Sequence, residues 1–124
     1  MVLIDSSAWI HGLRPDGDPD IRERVKELLC VGEAAWCPLV RLELWNGAAG
    51  PKEKKVLREM EKSVPELEIN QAVWETGYAL AWQARAQGRT VPSSDILVFA
   101  CAEYHGVGLE HDDEHFEMLA KLGG

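Results

Sequence analysis

Residues 2–4, Val2–Leu3–Ile4, form a short apolar run closed by Asp5. Such a run predicts a buried strand ending in an acid. Two prolines and a glycine over Arg14–Pro19 predict a loop. Asp20 can cap a helix to about Cys30, because Ile21, Val25, Leu28 and Leu29 recur at helical spacing. Ala35–Cys37 reads as a second strand. Pro38 opens a helix through Leu39–Asn46, closed by Gly47, and Pro51 opens another to about Lys62. Leu67–Ile69 reads as a third short strand. Asn70 then caps a long helix to about Gln87, with Gly88 as its stop. Ser93 or Ser94 caps a helix over Asp95–Tyr104 that is apolar nearly all round, which predicts burial. Gly106–His111 reads as the last strand and Glu114–Leu122 as a closing helix.

Strands alternating with helices through short connections predict an α/β fold, a mainly parallel sheet flanked by helices on both faces. The pattern shows no repeat and no long linker, so one domain over 1–124 is expected. Hydrophobic residues make up 46% of the chain and charged ones 27%, which excludes a disordered chain. No apolar run approaches the roughly 20 residues of a membrane helix. Met1–Ile4 is too short for the apolar region of a signal peptide. Three cysteines, Cys30, Cys37 and Cys101, cannot all pair within the chain, so a reduced, cytoplasmic setting is expected.

The net charge is −8, from 13 basic and 21 acidic side chains, which argues against binding nucleic acid by bulk charge alone. The placement of the acids matters more. Ligands of open parallel sheets sit beyond the carboxyl ends of the strands. Asp5 ends the first predicted strand, and Asp112 and Asp113 follow the last. Glu43 lies in the apolar stretch Leu39–Trp45, and Asp95 begins the buried helix. All four places can face one end of one sheet. Converging carboxylates raise one another's pKa, and a divalent cation removes the conflict. Oxygen ligands suit Mg²⁺ or Mn²⁺, which polarise a phosphoryl oxygen and lower the pKa of a bound water. That chemistry is phosphodiester hydrolysis.

The stretch Val2–Leu3–Ile4–Asp5–Ser6–Ser7–Ala8–Trp9–Ile10 resembles the opening of PIN-domain ribonucleases, particularly VapC-type toxins of toxin–antitoxin pairs. Val40–Ala48 is similar to that family's helix carrying the second acid, here Glu43. Pro92–Ala100 followed by His105–Gly106 is similar to the third-acid motif, with Asp95. Leu109–Phe116 resembles the last motif and puts the fourth acid at Asp113, next to Asp112. The four motifs occur in order along the whole chain. Two positions depart from the pattern. Glu110 stands where the last strand usually carries an apolar residue, and His115 where a further acid often sits.

The resemblance implies an endoribonuclease using Mg²⁺ or Mn²⁺, with Asp5, Glu43, Asp95 and Asp113 as the metal-binding cluster and Asp112 as a neighbour. The number of metals is left open. It implies in-line attack on the scissile phosphate, leaving a 5′-phosphate and a 3′-hydroxyl. Ser7 and Ser6 are candidates for positioning a phosphate or water through their hydroxyls, or are a polar turn. Arg41 is a candidate phosphate contact. Ser94 reads as a cap. Lys52, Lys54, Lys55, Arg58 and Lys62 either track an RNA backbone or form a solvated face.

The implied partners are an RNA substrate, a cognate antitoxin whose Arg reaches the acidic pocket, and a second copy in a homodimer. No membrane partner is expected. Trp74, Tyr78 and Trp82 share one helix face and read as core or subunit interface. Trp9 and Trp45 line the antitoxin groove or fill the core beneath it. Two alternatives stand beside this reading: a metal-dependent phosphatase or phosphotransfer domain, and a non-catalytic α/β binding module. A receiver domain wants paired acids after the first strand, and a phosphoaspartyl phosphatase wants a second Asp at position 7, where Ser7 stands.

Overall fold

In the computed structural model, Val2–Ile4 forms β1, the central strand of a three-stranded sheet with order β2-β1-β3. Residues 1–122 are described. The last two residues of the expected 1–124 domain lie outside them. β2 is Ala34–Ala35 and β3 is Gly108–Glu110, and both run parallel to β1. Leu3 aligns with Ala35 on one side and Leu109 on the other. Leu3 and Ile4 point to opposite faces of the sheet, yet both are fully buried. Helices therefore cover both faces, as the alternating pattern predicts.

The helices are α1 (Ser6–Leu13), α2 (Pro19–Cys30), α3 (Pro38–Gly47), α4 (Pro51–Ser63), α5 (Gln71–Ala86), α6 (Ser93–His105) and α7 (Glu114–Leu122). The sequence pattern assigned no element to residues 6–13, so α1 is an addition. Its start is set by Asp5, whose side chain accepts the Ser7 N–H. α2 is capped by Asp18, not Asp20. Asp18 Oδ1 accepts from the N–H groups of Asp20 and Ile21, because Pro19 takes the first helical position. Ser93 and Ser94 lie inside α6, whose N-cap position is Pro92 and carries no side-chain cap. The Ser94 cap is thus corrected.

β2 ends two residues before the expected Cys37, which instead occupies the N-cap position of α3. The expected strand Leu67–Ile69 reduces to one parallel bridge between Trp36 and Glu66. Beyond it, the Glu68 carbonyl accepts from His105 Nε2 at 2.8 Å, and Asn70 already caps α5. The chain turns into a helix before further pairing can form.

Trp9 and Trp36 are buried and meet edge to face, with centroids 6.2 Å apart. Trp9 therefore belongs to the core. On α5, Val73, Gly77, Leu80 and Ala84 face inward. The opposite face carries Trp74, Tyr78 and Trp82, exposed by 42%, 63% and 73%. This overturns the core reading of that stripe. Cys37 and Cys101 are buried thiols, and Cys30 is an exposed one. Among the described residues, no helix is long and apolar enough to cross a membrane.

Candidate active site

Asp5 ends β1 and caps α1, so one residue terminates a strand and starts a helix. Its backbone N–H donates to the Glu110 carbonyl at 2.9 Å, locking it to β3. Its side chain is 4% exposed. Oδ2 accepts from the Ser7 N–H at 3.0 Å and from the Ser7 hydroxyl at 2.7 Å. Among the described residues no hydrogen bond reaches Oδ1, which stays available for another ligand.

Glu43 projects from α3 and accepts from the Ser6 hydroxyl at 3.2 Å. Burial raises its pKa, and the charges of Asp5 and Asp95 add to the rise; the Ser6 hydrogen bond opposes it. Asp95 stands in the first turn of α6. Burial raises its pKa too, followed by the charges of Asp113 and Asp5, while His115 opposes the rise. Glu43 and Asp5 hold the adjacent Ser6 and Ser7 hydroxyls, Asp95 and Asp113 share the group with His115, and the charge of Asp5 acts on both Glu43 and Asp95, so the two pairs are neighbours beyond the ends of β1 and β3. Like charges crowded in a half-buried site cannot all ionise freely.

Asp112 and Asp113 diverge. Asp113 Oδ1 accepts from the His115 N–H at 2.9 Å, and its carboxylate joins Asp95 and His115 in a group whose ligand atoms lie within 4.8 Å of one another. Asp112 turns outward. Its side chain is about half exposed, and its Oδ2 lies 2.8 Å from His11 Nε2. Its backbone N–H donates to Ser7 Oγ at 3.0 Å. His11 Nδ1 accepts from the Asp18 N–H at 2.9 Å, so the hydrogen sits on Nε2 and is donated to Asp112. The result is a chain from Asp18 through His11, Asp112 and Ser7 to Asp5. His11 carries no local signal for this role, since its partner is 101 residues away in sequence.

Of the other candidates, Ser6 and Ser7 hydrogen-bond to the acids. Arg41 does not join them. Its guanidinium is 3.3 Å from Glu66 and 3.7 Å from Glu61. Glu110, the polar residue at the end of β3, is held by Arg24 Nε, 3.1 Å from each of its carboxylate oxygens. Trp45 is half-buried on α3, two residues after Glu43, and donates its indole N–H to Glu61.

The donor set is oxygen-rich and its acids are pushed toward protonation, which fits a divalent cation. A cleft of about 120 Å³ opens beside Glu43 between α1, α3 and α4, lined by Ile10, Leu13, Leu44, Val56 and Leu57.

The PIN-domain family profile matches residues 2–122. The chain belongs to the PIN-domain family. Among its PIN-domain relatives, ribonuclease VapC11 of Mycobacterium tuberculosis is 31% identical over 126 aligned residues, covering 98% of this chain and 93% of that one. The solved structure of VapBC-1 from nontypeable Haemophilus influenzae superposes with a TM-score of 0.77 at 20% identity, over 98% of this chain and 94% of that one. A toxin–antitoxin complex from Klebsiella pneumoniae gives a TM-score of 0.74 at 17% identity, over 92% and 88%. Both structural likenesses carry the PIN fold, which agrees with the parallel sheet and its helical layers.

Proposed function

We propose that this PIN domain is a divalent-metal-dependent endoribonuclease, the toxin of a VapC-type toxin–antitoxin pair. The observation that carries the reading is the convergence of four acids at one end of the parallel sheet, with Glu43 and Asp95 pushed toward protonation by burial and by their neighbours. A ribonuclease relative of nearly the same length supports the substrate class. Asp5, Glu43, Asp95 and Asp113 are assigned as the catalytic, ion-holding residues, with Mg²⁺ or Mn²⁺ as the ion. When bound, the ion polarises the scissile phosphate and makes water acidic. The chain's own contribution is to orient the ligands. Ser7 fixes the Asp5 carboxylate through Oδ2, and Ser6 does the same for Glu43.

The antitoxin reading rests on the apolar cleft. Ile10, Leu13 and Val56 are exposed there by 40%, 38% and 42%, and Glu43, Glu53 and Arg14 are the charged residues of the lining. An apolar antitoxin segment with one basic side chain matches that lining, and a chain of net charge −8 favours a basic partner. The exposed aromatic face of α5 supports the homodimer, since Trp and Tyr are strong interface anchors.

The test is cleavage of total cellular RNA by the purified chain, free of any co-purified partner. Discrete fragments with 5′-phosphate ends are expected in Mg²⁺ or Mn²⁺, falling to the EDTA background in Asp5→Asn and Asp95→Asn. Both changes remove a charge and almost no volume. Folded variants that cleave like the parent would overturn the site, and an inert parent would overturn the activity.

A further inference from the structure

His115 brings a nitrogen to a cluster otherwise made of carboxylates. Its Nδ1 lies 2.9 Å from Asp113 Oδ1 and 3.1 Å from Asp95 Oδ2. The distances suit hydrogen bonds, but the directions do not: Nδ1 is buried and makes no aligned hydrogen bond to any protein group. The ring is not free to choose this place. The His115 backbone N–H is tied to Asp113 Oδ1, and the next residue, Phe116, is core, 2% exposed and packed against the tilted ring of His111, centroids 4.9 Å apart. The start of α7 therefore presents an imidazole nitrogen, without an aligned hydrogen bond, to the space that Asp95 and Asp113 share, while the rest of the ring is partly exposed.

We propose that His115 Nδ1 is a direct ligand of the catalytic ion, completing a mixed oxygen–nitrogen site with Asp95 and Asp113 that selects Mn²⁺ over Mg²⁺. This rests on the reading that the acid cluster holds a divalent ion. The chemistry follows from ligand type. Mg²⁺ takes oxygen almost exclusively and gives up water reluctantly, whereas imidazole suits first-row transition ions. A carboxylate at position 115 would leave the site to hard ions. The imidazole trades a negative charge for a softer donor.

The experiment uses the full, metal-stripped chain and two probes, Mn²⁺ and Mg²⁺, each titrated calorimetrically. Pulsed electron paramagnetic resonance of the Mn²⁺ complex supplies a readout independent of activity. The wild-type spectrum is expected to carry nitrogen coupling that shifts on isotopic labelling of histidine, a measurement needing no variant. His115→Asp is expected to lose that coupling and to lower the Mn²⁺-to-Mg²⁺ affinity ratio by about tenfold or more. His115→Ala is expected to weaken Mn²⁺ by a similar factor without gaining Mg²⁺.

A Mn²⁺ spectrum without histidine nitrogen coupling would place His115 outside the coordination sphere and overturn the proposal. An unchanged affinity ratio in His115→Asp would do the same. In either case, loss of ion binding in Asp95→Asn would leave the parent reading standing. Binding that survives Asp95→Asn would bring both down. A wild-type chain that takes up no Mn²⁺ overturns the proposal as well, and RNA cleavage in Mg²⁺ then decides the parent reading separately.

Discussion

Two adjacent aspartates follow β3, and only one faces the other acids. Asp113 shares its surroundings with Asp95 and His115, while Asp112 points to solvent and receives the Nε2 hydrogen of His11. The contacts of Asp112 are to His11 and Ser7 and not to the other acids. Asp112 fixes the loop whose backbone N–H reaches Ser7, and Ser7 fixes Asp5. An amide oxygen accepts the His11 hydrogen as a carboxylate does. Asp112→Asn is therefore expected to keep RNA cleavage within about threefold of the parent, the scale of one altered exposed hydrogen bond. Asp113→Asn is expected to reduce it to the EDTA background. Equal loss in both variants would make Asp112 a ligand and discard the positioning chain. His11→Ala, which removes the donor, should lower the turnover number while leaving the affinity for metal near that of the parent.

The element that matters most for the site is also the one the hydrophobic pattern did not announce. Helix α1 has a mixed surface: Ala8 and Trp9 are buried, whereas Ile10 and Leu13 face the open cleft. An apolar stripe that faces an open cleft, not the core, blurs the amphipathic period, so residues 6–13 gave no clean helical signal. Asp5, Asp95 and Asp113 stood out in the sequence because each lies at an element end, and Glu43, in the middle of α3, because it is an acid inside an apolar stretch. The cap of α2 was not legible, because Pro19 at the first helical position moves it to Asp18, and the lost third strand was not, because beyond the bridge at Glu66 the chain is held by His105, 37 residues away in sequence. His11 was invisible for a different reason, since its partners arrive only when the loop before α2 and the loop after β3 fold onto α1. Close packing holds α1 in place. A Cβ at Gly12 would lie 2.6 Å from Val25 Cγ1 and 3.0 Å from Val25 Cβ, and Val25 is a buried residue of α2. Gly17 is equally constrained, since a Cβ there would meet the His11 carbonyl oxygen. Gly12→Ala is expected to cost about 1–3 kcal/mol through overpacking, outweighing its gain in helix propensity. Denaturant unfolding checks this, and an unchanged or raised midpoint would mean that α1 can slide on α2.

The whole molecule has net charge −8 and concentrates part of it where burial disfavours it. That concentration links stability, pH and metal. Glu43 and Asp95 have folded pKa values above their ordinary 4.5 and 3.8. Between those ordinary values and the raised ones, the folded chain holds more protons than the unfolded chain. Unfolding free energy therefore falls as pH rises through that window, and the loss persists at neutral pH. A divalent ion binds the ionised, folded form and reverses the loss by mass action, by about 2.7 kcal/mol at a hundredfold excess over its dissociation constant. For a chain of this size that is on the order of 10 °C in Tm. Asp95→Asn removes one of the crowded charges without removing volume. Its metal-free Tm at neutral pH is expected to exceed that of the parent, its decline with rising pH to be shallower, and its metal-induced rise to vanish. Thermal scans of both proteins across pH, with EDTA or Mn²⁺, read all three. An Asp95→Asn chain less stable than the metal-free parent, yet still raised by Mn²⁺, would mean that Asp95 serves α6 as a first-turn acid and that the ion sits elsewhere. The cost in metal-free stability is what a site built to hold an ion, rather than to stabilise the fold, should carry.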